Sequence, residues 1–162
     1  MGYHKQRYLI EHILYEDEFF VEEIEEEIDI NNLNIGEKYK LNTKFTANAV
    51  NYKFLIINEH RLKIKGIYIT FFLDKELSFI PEYKNIYPLE FKHYFQIYIP
   101  FTRKIKINDK MDLSANISII DTDLQYKRSR IYRKNTIIEE MMNINFLLRI
   151  TKKEELKIFT HK

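Results

Sequence analysis

The sequence predicts an all-β protein, either a single-domain antiparallel β-sandwich or a partly open barrel. From residue 38 onward, apolar and polar residues alternate with period two, which is typical of strands that bury one face. Isoleucine is the commonest residue at 26, whereas alanine contributes 3 and valine 2, a bias that favours strands. A chain of 162 residues has room for one domain with a hydrophobic core.

The first strands show two changes of phase. Apolar residues occupy odd positions through Ala47 and even positions over residues 50–56. In the next strand the phase changes from even at Ile64 to odd at Ile67, on either side of Gly66. A change of phase within one strand predicts an extra residue, so we expect a β-bulge at Gly66.

The middle of the chain predicts a connection followed by an edge strand. Residues 74–88 hold two of the three prolines and are predicted to form a long connection, with a short strand over 77–80. Alternation resumes from Phe91 to Phe101. Because Pro100 cannot donate to a strand ladder, it predicts an edge position or a bend.

Two further strands complete the pattern. One has apolar residues on odd positions over 111–119, and the last has them on even positions over 138–150. The segment between them, residues 124–135, is basic and extended. In the acidic segment before residue 30 and in the short terminal segments, the spacing of the apolar residues fits one face of a helix and one face of a strand equally well.

Charge is placed unevenly along a chain whose formal net charge is only +2. Residues 1–29 hold ten acidic and two basic residues, whereas residues 30–162 hold 14 acidic and 24 basic ones. The acidic segment is interpreted as a solvated face, or as a segment attracted to basic surface in this fold or on another subunit. The overall balance gives no reason to expect a nucleic-acid or membrane partner.

The residues that carry common enzyme chemistry are absent or scattered. Three widely spaced glycines cannot form a phosphate loop, and the lack of cysteine excludes disulfides and thiolate chemistry. The five histidines form no i, i+4 pair, and no serine lies in a nucleophile-elbow motif. Asp121 and Asp123 could bind a cation, but a capped turn is the simpler interpretation. We therefore expect no enzyme, no cofactor and no metal.

Basic and aromatic residues interleave over 126–134, as they do in platforms for single-stranded nucleic acid. Strand alternation divides the positive charges between two faces, since Arg128 and Arg130 alternate with Lys127 and Arg133. A solvated strand, or a docking surface for the acidic segment, is therefore the preferred interpretation.

Six short segments occur in a recognisable order. They are Phe20-Val21-Glu22-Glu23-Ile24-Glu25, Leu62-Lys63-Ile64-Lys65-Gly66-Ile67-Tyr68-Ile69, Ile97-Tyr98-Ile99-Pro100-Phe101, Asn116-Ile117-Ser118-Ile119-Ile120, Ser129-Arg130-Ile131 and Thr136-Ile137-Ile138. Their order and spacing resemble the SPOCS domain of clostridial spore coat and spore envelope proteins. The resemblance spans residues 18–150, and its support is the shared order, since each segment alone occurs in many β proteins.

The resemblance implies a non-catalytic structural protein of the bacterial spore surface, in the coat, exosporium or an appendage. It implies a protein made in the mother-cell cytoplasm and deposited on the spore surface layers, with itself or other spore coat proteins as partners. It also implies an N-terminal extension over residues 1–18, a SPOCS-like β domain over 19–150 and a C-terminal extension over 151–162.

An assembly interface is expected on outward aromatic residues and on the charged and terminal segments, one of which would pair with a neighbouring subunit. The full set is Tyr94, Tyr98, Tyr126, Arg128, Arg130, Tyr132, Glu22, Glu23, Glu25, Glu26, Glu27, Leu156 and Ile158, with Gly66, Pro100 and Phe101 as structural residues. Two alternative functions are a phage or mobile-element structural protein, and a β-barrel that binds a small apolar ligand.

Overall fold

The fold consists of six long strands in a computed structural model. The structure describes residues 3–30, 40–80, 89–108, 112–132 and 135–161, with side chains for 8–22, 42–58, 60–78, 90–108, 112–125, 137 and 139–155. The strands are β1 (Tyr3–Ile30), β2 (Lys40–Glu59), β3 (Arg61–Ile80), β4 (Leu89–Lys106), β5 (Asp112–Tyr132) and β6 (Asn135–His161). The acidic segment, which suited either a helix or a strand, is a strand.

The strands form two three-stranded antiparallel sheets. Sheet A has the order β1-β6-β5 and sheet B the order β2-β3-β4. The predicted all-β antiparallel sandwich is confirmed. The two sheets do not close into a barrel over the described residues, so the partly open barrel is not the arrangement adopted. Each sheet has one central strand, β6 or β3, and two edge strands.

The core lies between the two central strands. Side chains from the inner faces of β3 and β6 are completely covered, and the rings of Phe71 and Phe146 meet with centroids 5.2 Å apart. The buried apolar residues include Ile64, Ile67, Ile69, Phe71 and Leu73 of β3, and Met142, Ile144, Phe146, Leu148 and Ile150 of β6. Burial of this apolar surface is the main stabilising contribution, at roughly 25 cal/mol per Å² removed from water.

Two bulges explain the changes of phase that the sequence shows. Val50 is an extra residue in β2, because Ala49 pairs with Phe71 and Asn51 with Thr70. Lys65 is an extra residue in β3, since the register is shifted between Ile64 and Gly66 against both neighbouring strands. The bulge expected at Gly66 is therefore confirmed within one residue. Each bulge returns an apolar series to the inner face of the sheet.

Of the long connection predicted over 74–88, residues 81–88 lie outside the described residues, and the rest belongs to β3, which continues to Ile80. The short strand predicted over 77–80 is confirmed as the end of β3, whereas a connection over 74–76 is wrong. Strand pairing is unbroken along this stretch, with Leu77 opposite Leu89 of β4. The reason for the error is Lys75, a charged residue at an inward position between the buried Leu73 and Leu77. A buried lysine hides the alternation that otherwise identifies the strand.

The predicted domain boundaries at residues 18 and 151 fall inside continuous strands. β1 and β6 pair from Tyr3 opposite His161 through Ile13 opposite Thr151, and beyond. The two predicted extensions thus pair with each other in one chain. Their assignment as separate extensions stays a prediction.

Candidate interaction surface

The outer face of sheet B carries four aromatic residues that form two cross-strand pairs. Tyr68 of β3 lies opposite Tyr98 of β4, with ring centroids 4.7 Å apart, and Phe72 lies opposite Tyr94 at 4.9 Å. We call Tyr68, Phe72, Tyr94 and Tyr98 the aromatic patch. Tyr94 is 69% exposed, which is high for so large a ring. Aromatic residues that remain exposed beside one another are typical of interaction surfaces.

Gly66 makes room for one ring of the aromatic patch. It does not have a positive φ, so its role is spatial and not conformational. A Cβ atom at this position would lie 2.5 Å from the Tyr98 hydroxyl oxygen and 2.6 Å from the Ile99 carbonyl oxygen. Neither separation is possible for a real Cβ atom. The absent side chain therefore lets Tyr98 lie over the strand.

Polar residues separate the two aromatic pairs and dominate the outer face of sheet A. The amide nitrogen of Gln96 donates to the hydroxyl oxygen of Thr70 over 3.5 Å, between the aromatic pairs. On sheet A the guanidinium of Arg149 contacts the Glu16 carboxylate at 2.8 Å, and Asn145 donates to Glu18 at 2.8 Å. The two outer faces thus differ in chemistry, with the aromatic patch on sheet B alone among the described residues.

A groove of about 420 Å³ follows the open side of the sandwich where β1 lies over β4. Tyr15 of β1 and Phe101 of β4 contact across this side, with ring centroids 4.7 Å apart. Further along, the groove is lined by Phe19, Phe20, Val21, Glu22, Ile97, Tyr98, Ile99, Pro100 and Phe146. We call it the β1/β4 seam. Phe20, at its rim, is 59% exposed.

The seam brings together residues that the sequence predicted separately. Glu22 and Tyr98 of the expected interface line it, and so does Pro100, which was predicted as a structural residue. Pro100 lies in the edge strand β4, which confirms the predicted edge position. Phe101 is 7% exposed and packs in the core. Tyr94 lies further along the outer face of β4.

The hydroxyl of Tyr15 lies beside an acidic residue at the seam. Burial raises the pKa of Tyr15 above its ordinary value of 10.0, and the Asp17 carboxylate raises it further by repulsion and by accepting a hydrogen bond. Tyr15 therefore keeps its proton over the whole neutral range. It serves as a neutral, amphipathic contact at the edge of the core.

A buried ion pair joins the two sheets near one end of the core. The Lys75 ammonium lies 3.4 Å from a carboxylate oxygen of Glu140, and both side chains are 1% exposed. The Phe91 ring adds a cation–π contact, with its centroid 6.0 Å from the lysine nitrogen. The pair joins the central strand of sheet B to that of sheet A, so it favours one relative position of the two sheets.

The register places the acidic and basic segments at the same end of sheet A, on either side of β6. Arg128 of β5 lies opposite Glu139, which lies opposite Glu27 of β1. Likewise, Arg130 of β5 and Asp29 of β1 each lie opposite Ile137 of β6, one on either side. This arrangement agrees with an acidic segment attracted to basic surface within its own fold.

Several predicted interface residues have side chains outside the part of the chain that the structure describes. Their backbones lie in β5, β1 and β6, and they are Tyr126, Arg128, Arg130, Tyr132, Glu23, Glu25, Glu26, Glu27, Leu156 and Ile158. Leu156 is opposite Tyr8 and Ile158 is opposite Gln6, so both are already paired to β1 on one side. An interface role for these residues stays a prediction.

The described residues hold no group of three or more His, Asp or Glu side chains placed to bind a metal ion. Asp123 accepts a hydrogen bond from Gln125 at 3.1 Å, two residues along the same strand. Across the described ranges there is also no helix long and apolar enough to cross a membrane.

Two residues of the aromatic patch were missed by the sequence interpretation. Tyr68 and Phe72 occupy the phase opposite to the buried Ile67, Ile69 and Phe71, which marks them as outward. That signal was present in the sequence. What the sequence lacked was the register that places these rings opposite Tyr98 and Tyr94.

Comparison with known proteins found no matching protein family, no similar curated protein and no similar solved structure.

Proposed function

We propose that this chain is a non-catalytic structural protein of the bacterial spore surface, in the coat, exosporium or an appendage. It acts by self-assembly or by docking to other coat proteins. The resemblance to the SPOCS domain directs the proposal to the spore. The observation that supports an assembly role is the β1/β4 seam, where two sheet edges and exposed apolar side chains lie side by side.

Open edges favour assembly because an edge strand has unpaired N–H and C=O groups that can accept another strand. Proteins that stay monomeric keep such strands short or place charges across them. Here the edge strands β1, β2, β4 and β5 are 28, 20, 18 and 21 residues long. Strands in globular proteins usually have about 3–10 residues, so these edges offer much more pairing surface than usual.

The aromatic patch gives the second contact surface that a layered structure needs. Tyrosine contributes a large contact area at low entropic cost, and its hydroxyl can hydrogen bond to a polar neighbour. A patch on the face of sheet B and open strands at its edges point in different directions. One chain can therefore contact partners both beside it and above it.

Immunogold labelling of thin sections of a sporulating culture tests this function. Antibodies against the purified chain should label the layers around the forespore, and vegetative cells of the same strain serve as the matched control. Equal labelling of both cell types, or label confined to the cytoplasm of mature sporangia, would contradict a spore-surface role.

The same open edges suit a structural protein of a phage or mobile element, which is the second candidate. Production timed to sporulation favours the spore, whereas production on prophage induction, beside capsid or tail genes, favours the alternative. A barrel that holds a small apolar ligand is not proposed, because the sheets stay separate and the space between β3 and β6 is filled by side chains.

A further inference from the structure

We propose that the β1/β4 seam binds the same seam of a second copy, so that β1 of each chain pairs with β4 of the other. This inference deepens the proposed assembly role and rests on it, since it names the first partner as the chain itself. Two independent observations support it: the charges of the two strands and the exposed apolar groove between them.

The charges of the two strands are complementary. β1 contains ten acidic and two basic residues, whereas β4 contains one acidic residue and the four basic residues Lys92, Arg103, Lys104 and Lys106. Close to the seam, residues 15–22 of β1 hold four acidic residues and no basic one. Pairing β1 with β1 of a second chain would therefore oppose like charges, whereas pairing β1 with β4 opposes unlike ones.

The directions of the strands also allow this pairing. Phe71 contacts Phe146 and Lys75 contacts Glu140, so β3 and β6 run in opposite directions across the sandwich. Since β1 is antiparallel to β6 and β4 to β3, β1 and β4 run in opposite directions as well. A twofold axis parallel to the strands keeps these directions. It places β4 of the second chain beside β1 in an antiparallel arrangement, and extends each sheet to six strands.

The edges that would meet are regular over a matching stretch. β1 pairs with β6 without interruption from Tyr15 to Val21, between register shifts on either side. β4 pairs with β3 without interruption from Leu89 to Pro100. Both stretches border the seam, where Phe20 is exposed and Tyr98 is 37% exposed. Association would cover these rings with those of the second copy.

Charge-swap variants test the pairing. The β4 variant carries Lys92→Glu and Arg103→Glu, and the β1 variant carries Asp17→Lys and Glu22→Lys. All four residues are exposed, so the fold should persist, which circular dichroism checks. The control variant carries Lys44→Glu and Lys53→Glu in β2, on the other edge of sheet B, with the same change in charge as the β4 variant.

Sedimentation velocity over a range of concentrations measures the result. The wild type and the control should form a dimer of twice 19.9 kDa. The β4 variant and the β1 variant should each dimerise at least about tenfold more weakly, because each places like charges together. An equal mixture of the two variants should dimerise as well as the wild type, since each acidic strand then meets a basic one.

A wild type that is monomeric at every concentration would overturn the proposal. So would variants that dimerise as strongly as the wild type, or a mixture that does not regain dimerisation. Should a variant fail to fold, the chain with all four changes replaces it. This chain must dimerise, because its β1 is more basic and its β4 more acidic, so that unlike charges still meet. These outcomes leave the immunogold result untouched, so failure of the dimer and failure of the spore role are distinguishable.

Discussion

Gly66 shows how one small residue fixes a surface. The space above it holds the ring of Tyr98, which belongs to the aromatic patch, and the same residue also lines the β1/β4 seam. Because Tyr98 borders both surfaces, a change at this one residue affects the two contacts that we propose. The residue types alone do not show this relation, since it depends on the register of β3 against β4.

We expect Gly66→Ala to destabilise the protein by about 1–3 kcal/mol, as overpacking does in well-packed sites. The added Cβ would clash with the Tyr98 ring and with the Ile99 carbonyl oxygen, which belongs to the backbone. Adding Tyr98→Ala should therefore restore stability only in part. Urea denaturation measures both changes. Thr70→Ala, on the same face of β3, is the control and should cost less than ~1 kcal/mol.

Tyr15 predicts a specific dependence of stability on pH. Its pKa is raised in the folded chain, chiefly by burial, above the ordinary value of 10.0. Between the unfolded-state pKa of 10.0 and the raised folded-state pKa, the folded chain keeps a proton that the unfolded chain has lost. The contribution of Tyr15 to stability is therefore complete below pH 10 and is lost as the pH rises through the raised pKa. The stability advantage of the wild type over Tyr15→Phe should shrink above pH 10.

Urea denaturation of both proteins from pH 8 to pH 11 measures this difference, at ~0.5 pH intervals. All other side chains are the same in both proteins, so the difference isolates Tyr15. A difference that stays constant over the whole range would contradict the assignment.

At the scale of elements, β3 shows what the sequence could and could not predict. Period-two alternation identified its course from Ile67 to Leu73, and the change of phase identified its bulge. Its last residues, 77–80, were predicted as a separate short strand, because Lys75 is charged and nevertheless inward. The partner Glu140, 65 residues away in β6, and the Phe91 ring help to make that position acceptable.

The candidate surface was predictable to a similar extent. Alternation identified Tyr94 and Tyr98 as outward, which their exposure supports. The β1/β4 seam could not be predicted, because it depends on β1 of sheet A lying over β4 of sheet B. Charge counts along the chain showed that β1 is acidic, but not which basic strand lies below it.

The buried pair predicts a strong contrast between single and double substitutions. Lys75→Met alone removes the ammonium group from beside the buried Glu140 carboxylate and should cost about 3–5 kcal/mol. Lys75→Met with Glu140→Leu replaces both charges by apolar groups of similar size, and should cost much less or nothing. Urea denaturation of the wild type, both single variants and the double variant gives the coupling free energy.

The exposed pair between Arg149 and Glu16 is the matched control for that cycle. Its side chains are 42% and 40% exposed, so its coupling should be below ~1 kcal/mol. Equal coupling in the two pairs, or a double variant as unstable as Lys75→Met, would contradict a structural role for the buried pair.

At the scale of the whole molecule, two long-stranded sheets stack with their central strands face to face. Along one side β2 and β5 approach each other, and along the other side β1 and β4 lie further apart. The core of β3 and β6 gives rigidity, and the edges and aromatic patch give contact surface. The N-terminal acidic charge lies on one of these edges, opposite in sign to β4. The architecture thus combines a stable interior with one open side, the β1/β4 seam.

The most direct test of the assembly role is the state of the purified, untagged chain at near-physiological salt. Negative-stain electron microscopy and sedimentation would follow it alone and mixed with a solubilised spore-coat extract. Our account predicts ordered fibres, lattices or dimers, or co-sedimentation with coat proteins, at rising concentration. A chain that stays at 19.9 kDa at every concentration, both alone and in the extract, would contradict the account.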